Sequence, residues 1–119
     1  MLPIQTNSPC AEIKLLIVED HPVYLEGLSF VLNKLSNDVN LVCVNTISEA
    51  QDVLSQTNNF DLILLDLGLP DDSGLSLFSF LKRHQIFIPV AMLSASEKPQ
   101  DIRASMAAGA SGFISKASR

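Results

Sequence analysis

Short apolar runs bounded by polar residues recur along the chain and predict the strands of a sheet. The predicted strands at residues 14–18 and 62–65 each contain four consecutive apolar residues, the pattern of strands that helices cover on both faces. Residues 39–44, 90–93 and 112–115 are further short runs bounded by turn-forming or charged residues. We therefore predict five strands.

Helical patterns separate these strands. Leucines at spacings of three and four predict a helix over residues 22–35, and three further helices are expected over about residues 48–56, 75–84 and 98–108. Strands that alternate with helices indicate an α/β fold, a parallel sheet with helices on both faces. Right-handed crossovers leave few topologies, and we expect the doubly wound, five-stranded order 2-1-3-4-5, the flavodoxin-like arrangement.

Two helix ends are marked by their residue types. Before the second helix, Thr46 with Glu49 and Ser48 with Gln51 are alternative capping boxes, in which a hydroxyl and a carboxylate or amide satisfy the first backbone N–H groups. After the fourth helix, Gly109 is suited to the left-handed conformation that commonly ends a helix.

Polar residues end the four strands that are neighbours in the predicted order. The first strand ends at Glu19 and Asp20, the third at Asp66, the fourth at Ser94 and the fifth at Lys116. Carboxyl ends of parallel strands meet at one edge, where open α/β sheets bind their ligands, so we expect these side chains in a single site. The alternative is that each acts locally, as a turn residue, a helix N-terminal charge or a solvated lysine.

The side chains expected at this edge suit a cation and a phosphate group. Three carboxylates repel one another unless a cation compensates their charge, and oxygen-rich ligand sets suit Mg²⁺. Ser94 adds a hydroxyl donor and Lys116 an ammonium group. A carboxylate can act as a nucleophile toward phosphorus, and Asp66 is the candidate because it ends the central strand.

The bulk composition excludes several classes of function. The chain has 119 residues, 47% of them hydrophobic, with a net charge of −5, which indicates one domain with a core and argues against a nucleic-acid surface. No apolar run approaches the ~20 residues that span a bilayer, and no signal peptide is evident. Cys10 and Cys43 lack metal-ligand spacing and are expected as free thiols. We expect a cytoplasmic protein with a flexible leader over residues 1–12.

Four segments of the chain resemble the receiver (response-regulator) domain of bacterial two-component systems. The closest likeness is to the helix-turn-helix transcription factors of the nitrate-regulator and quorum-regulator type. The matching segments, in the family's order, are residues 15–22, 66–74, 93–95 and 109–116. The chain departs from the pattern at Ala117, where many receivers have proline. It also stops at residue 119, before the family's fifth helix and DNA-binding domain, so we expect a truncated receiver domain over residues 13–119.

The resemblance implies a role for each residue at the edge. Asp66 would accept a phosphoryl group from a sensor histidine kinase. Mg²⁺ would be bound by Asp20, Asp66 and the carbonyl group of Gly68, with Glu19 acting mostly through water. Ser94 and Lys116 would hold the phosphoryl group, and Phe113 would turn inward when Ser94 moves. A homodimer, and DNA binding through a C-terminal domain missing here, are the further partners implied.

Three alternatives stay open at this point. An aspartyl-phosphate phosphohydrolase usually has a second aspartate two residues after the nucleophile as acid/base, and here that position is Gly68. An interaction module of the same fold that is never phosphorylated would not need the full set of acids. His21 could be a ligand or a phosphodonor, although Pro22 favours a role at the start of the helix. Because Gly68 takes the place of the acid/base aspartate, we expect no enzyme activity beyond self-catalysed phosphorylation and dephosphorylation.

Overall fold

The computed structural model describes residues 13–19, 24, 26–28, 30, 34, 39–66, 76–94 and 98–115. Within these ranges the elements are, in chain order, β1 (Ile13–Val18), β2 (Val39–Val44), α1 (Ile47–Gln56), β3 (Leu62–Asp66), α2 (Ser76–Arg83), β4 (Val90–Ser94), α3 (Pro99–Ala108) and β5 (Gly112–Ser115). The described residues between β1 and β2 from 24 to 34 are helical as well, where the first helix was predicted. The expected leader, residues 1–12, lies outside the described residues.

The five strands form one sheet in the order β2-β1-β3-β4-β5, and every pairing is parallel. This is the predicted doubly wound order, and β3 is its central strand. The prediction from alternating strands and helices is therefore confirmed. Within the described ranges, none of the helices has the length and apolar character that crossing a bilayer requires.

Alternation along the strands divides the core between the two faces of the sheet. On one face the strands pack with α1 and α2 in a single cluster that includes Leu16, Ile63, Ile47 and Leu77. On the other face is a smaller cluster of Ile17, Leu64, Ala91 and Leu93. It packs against the half-buried Tyr24 and Leu28 of the helical segment between β1 and β2. Both faces of the central strands are thus covered, as their continuous apolar runs predict.

Hydrogen bonds at the start of α1 decide between the two predicted capping boxes. Oγ1 of Thr46 accepts a hydrogen bond from the N–H of Glu49 at 3.0 Å, and Oε1 of Glu49 accepts one from the N–H of Asn45 at 2.7 Å. A variant of the first box therefore forms, in which Glu49 binds the N–H of Asn45, one residue before the N-cap Thr46, and α1 begins at Ile47, one residue earlier than predicted. Gly109 ends α3 with φ 121°, as expected.

The turn after α2 uses a residue that has no preference for its conformation. Gln85 has φ 55°, in the left-handed region where glycine is favoured. The N–H of Ile86 donates to the carbonyl of Leu81 at 2.9 Å and that of Gln85 to Lys82 at 3.2 Å, which closes the helix as a Schellman motif.

Cys43, in the outermost strand β2, is a free thiol as predicted. Partial burial raises the pKa of this thiol.

Candidate functional site

Buried polar residues end three neighbouring strands at the carboxyl edge of the sheet. Glu19 directly follows β1 and is 0% exposed, Asp66 ends β3 at 2%, and Ser94 ends β4 at 4%. In the part of the chain that the structure describes, Ser105 is the one other polar residue buried to this degree. Polar burial is therefore concentrated at the edge where the sequence predicts a site.

The strand register places these residues side by side. Val18 pairs with Leu65, so the residues that follow them, Glu19 and Asp66, are neighbours across adjacent strands. Asp66 pairs with Leu93 on its other side, so Ser94 lies one residue further along β4. Adjacent strands are about 4.8 Å apart. Asp66 is thus flanked by a carboxylate on one side and a hydroxyl on the other.

The backbone of Glu19 is held by the outermost strand. Its N–H donates to the carbonyl of Val44 at 2.9 Å, which continues the β1–β2 pairing one residue beyond the end of β1. This support is not evident from the residue pattern alone. The sequence feature that indicates it is the capping box at Thr46 and Glu49, which marks the turn that follows Val44.

Two acids that are neighbours across adjacent strands are buried at this edge and define its electrostatics. Oε1 of Glu19 and Oδ2 of Asp66 are both buried. Burial of an ionised carboxylate costs on the order of several kcal/mol, and a second negative charge beside it adds repulsion. A divalent cation compensates both effects, and carboxylate oxygens are ligands that Mg²⁺ prefers. Among the described residues no group of three acids, histidines or cysteines is close enough to hold an ion alone.

The remaining predicted site residues are divided between described and undescribed positions. Asp20, Gly68 and Lys116 lie outside the described residues. Phe113 lies in β5, half-buried, and pairs in register with Met92 of β4. It packs against the larger core cluster, so it lies below the edge that holds Asp66. The structure therefore brings together Glu19, Asp66 and Ser94, with Phe113 two residues before the last residue of its strand.

The comparisons with known proteins agree with this arrangement. A family profile for the response regulator receiver domain matches residues 15–119. The chain belongs to the response regulator receiver domain family. It is 38% identical over 104 residues to the transcriptional regulatory protein PmrA of Pectobacterium parmentieri, an alignment that covers 87% of this chain and 46% of PmrA. The predicted family is thus confirmed, and the chain spans about half the length of that relative.

Two solved receiver structures show the same fold. The receiver domain of the response regulator NarL from Mycobacterium tuberculosis has a TM-score of 0.79 at 26% identity, with 91% of this chain and 86% of that one covered. The Mn²⁺-bound form of the response regulator Rcp1 has a TM-score of 0.76 at 28% identity, with coverages of 90% and 83%. A receiver domain of a regulator named NarL is thus among the solved structures that this chain resembles.

Proposed function

We propose that this receiver domain is a phospho-accepting signalling switch in which Asp66 takes a phosphoryl group from a sensor histidine kinase. One observation carries the proposal. Asp66 ends the central strand with its carboxylate almost fully buried, and Glu19 and Ser94 flank it on the two neighbouring strands. A carboxylate in such a place is poorly explained by solubility or by a turn.

The proposed step is an attack by a carboxylate oxygen of Asp66 on the phosphorus of a phosphohistidine. A P–O bond forms, the P–N bond breaks, and the imidazole of the kinase leaves. Phosphoryl transfer depends mainly on positioning and on neutralisation of charge, because the transition state is loose. The end of β3 supplies the position, and Mg²⁺ together with Lys116 would supply the neutralising charge.

The residues at this edge fit a bound Mg²⁺. Asp20, Asp66 and the Gly68 carbonyl would hold it, and Glu19 would act through water. When bound, the cation neutralises the carboxylates and the phosphoryl oxygens. The buried acid pair supports this assignment, as does the Mn²⁺-bound form of the similar Rcp1. Ser94 then donates its hydroxyl hydrogen to a phosphoryl oxygen, and Lys116 pairs with the added charge.

Ser94 and Phe113 form the proposed switch. They lie on the paired strands β4 and β5, and Phe113 is only half-buried, so we expect its ring to have both an outward and an inward position. A new anion on Asp66 draws Ser94 toward it and favours the inward position of Phe113. The switch is therefore a two-state equilibrium that phosphorylation shifts.

The proposed output of the switch is transcriptional. PmrA is a transcriptional regulatory protein, and this chain spans 46% of its length. We propose that residues 13–119 are the receiver part of a cytoplasmic transcriptional regulator that binds DNA through a further domain. Phosphorylation would change self-association of the receiver and thereby DNA binding. No catalysis is proposed beyond the domain's own phosphorylation and dephosphorylation.

The direct test is incubation with Mg²⁺ and acetyl phosphate, followed by intact-mass and peptide mass spectrometry. We expect the addition of one phosphoryl group on the peptide that contains Asp66, and no addition when EDTA is present. An unchanged mass with Asp66 intact would contradict the proposal and favour a phosphorylation-independent interaction module. Release of phosphate from small esters over many turnovers would instead indicate a phosphohydrolase.

A further inference from the structure

One peptide group, between Val44 and Asn45, connects the buried Glu19 to an exposed carboxylate. Its carbonyl oxygen accepts a hydrogen bond from the N–H of Glu19 at 2.9 Å. Its N–H donates to Oε1 of Glu49 at 2.7 Å. The two hydrogen bonds lie at opposite ends of the same rigid, planar unit, so a force or a charge at one end acts on the other.

Glu49 is well placed to hold this peptide group. Its own N–H donates to Oγ1 of Thr46 at 3.0 Å, which fixes it in the first turn of α1. The bond to Asn45 is short and charge-assisted, a class roughly twice as strong as bonds between neutral groups. A carboxylate on the N–H side also polarises the peptide, which strengthens the carbonyl oxygen of Val44 as an acceptor for Glu19.

The backbone of Glu19 lies at the end of the β1–β2 pairing. It lies one residue beyond β1, and its bond to Val44 continues the ladder there. Val44 in turn ends β2, the outermost strand on that side. The position of Val44 is therefore set by β1 and by the turn into α1. The Thr46–Glu49 capping box is the part of this turn that holds Val44 in place.

We propose that Glu49 is a positioning residue for the carboxyl-edge site. Through the Val44–Asn45 peptide group it holds the backbone of Glu19, and so sets the affinity of the edge for Mg²⁺. This inference rests on the proposed function, in which Glu19 acts on Mg²⁺ through water. Glu49 itself touches neither the cation nor the phosphoryl group.

The test compares four proteins by two measurements. The proteins are the wild type, Glu49→Ala, Glu49→Gln and Asp61→Ala, and the measurements are hydrogen exchange of the Glu19 amide by NMR and the Kd for Mg²⁺ by calorimetric titration. Asp61→Ala is the matched control, because Asp61 is also an exposed carboxylate that accepts a backbone N–H, that of Lys14 at 2.9 Å, at the opposite end of β1.

We expect Glu49→Ala to speed exchange of the Glu19 amide and to weaken Mg²⁺ binding by about threefold, less than the ~10–100-fold lost when a direct support of a metal ligand is removed. Glu49→Gln keeps an acceptor oxygen and should restore most of both properties. Asp61→Ala should change neither, although it removes a bond of the same kind.

Unchanged exchange of the Glu19 amide in Glu49→Ala would overturn the inference. Equal weakening of Mg²⁺ binding by Glu49→Ala and Asp61→Ala would also overturn it, since the effect would then be a general loss of stability. In both cases Mg²⁺ binding by the wild type leaves the proposed function standing. If the wild type fails to bind Mg²⁺, the proposed function fails, and this inference fails with it.

Discussion

Two aspartates mark the limits of β3, Asp61 directly before its first residue and Asp66 as its last, and their surroundings are opposite. At the amino edge of the sheet, Asp61 is exposed, its carboxylate accepts the N–H of Lys14 at 2.9 Å, and its own N–H donates to the Lys14 carbonyl at 2.8 Å. At the carboxyl edge, Asp66 is 2% exposed and lies beside Glu19. Asp61 is explained by its bonds, which tie β1 to β3. Burial of Asp66 beside another acid opposes folding, so it points to chemistry.

The difference extends to the rest of both edges. Glu19, Asp66 and Ser94 are buried at the carboxyl edge. At the amino edge, the turn that leads into β4 is exposed, and its unusual feature is the positive φ of Gln85. Residue type alone does not separate a functional carboxylate from a structural one. What distinguishes Asp66 from Asp61 in this fold is burial at the edge where several strand ends converge.

The largest expected effect is on phosphorylation. Asp66→Asn should abolish incorporation of phosphate from acetyl phosphate, because the amide is not a nucleophile toward phosphorus. Asp61→Asn should incorporate phosphate at the wild-type rate, since it keeps an acceptor for the Lys14 N–H and lies at the other edge. The number of phosphoryl groups per protein, measured by mass spectrometry, checks both predictions. An equal loss of phosphorylation in the two variants would show that the two edges do not differ in function.

A second effect concerns stability at the carboxyl edge. In metal-free buffer, Asp66→Asn should raise the free energy of unfolding by about 1 kcal/mol, because it removes a buried charge beside Glu19. Added Mg²⁺ should stabilise the wild type, by about 1.4 kcal/mol at ten times its Kd, and the variant much less. Urea unfolding with and without Mg²⁺ measures these values. A variant that is less stable than wild type in metal-free buffer would mean that Asp66 stabilises the fold.

The expected effect at the amino edge has the opposite sign and no metal dependence. Asp61→Ala should lower the free energy of unfolding by roughly 0.5–1 kcal/mol, a modest value because the lost bond to Lys14 is exposed to solvent. The same urea titration measures it. Dependence of this loss on Mg²⁺ would show that the two edges are coupled.

The smallest effect is expected at the turn after α2. Gln85→Gly should raise the free energy of unfolding by about 0.5 kcal/mol, since glycine adopts φ 55° without the steric strain of a side chain, offset in part by its greater freedom in the unfolded chain. Phosphorylation should be unchanged. A decrease in stability would show that the Gln85 side chain makes contributions that outweigh the strain.

The strands and their order were predictable because each strand is a short apolar run with clear limits. The bounds predicted for β2 and β5 are those observed. Convergence of Glu19, Asp66 and Ser94 followed from topology alone, since the carboxyl ends of parallel strands share an edge. The degree to which Glu19 is buried was not predictable, because it depends on elements that are distant in sequence.

Local ambiguity limited the rest of the prediction. Two capping boxes two residues apart were equally acceptable by residue type, and packing of Ile47 against the sheet decides for the one at Thr46. Gln85 has no intrinsic preference for positive φ, so no local pattern marked that turn. The peptide group between Val44 and Asn45 acquires its role only when β1 is beside β2, and this requires the tertiary structure.

The two hydrogen bonds between Lys14 and Asp61 also bear on how the protein folds. They join residues 47 positions apart, so the β1–β3 pairing closes a long stretch of chain that contains β2 and α1. Entropy is lost in closing such a long stretch of chain before the contact forms, so pairings of this kind slow the folding of parallel sheets relative to helical bundles of the same length. Removal of the Asp61 carboxylate should change the folding rate to the extent that this pairing is formed in the transition state, and otherwise the unfolding rate.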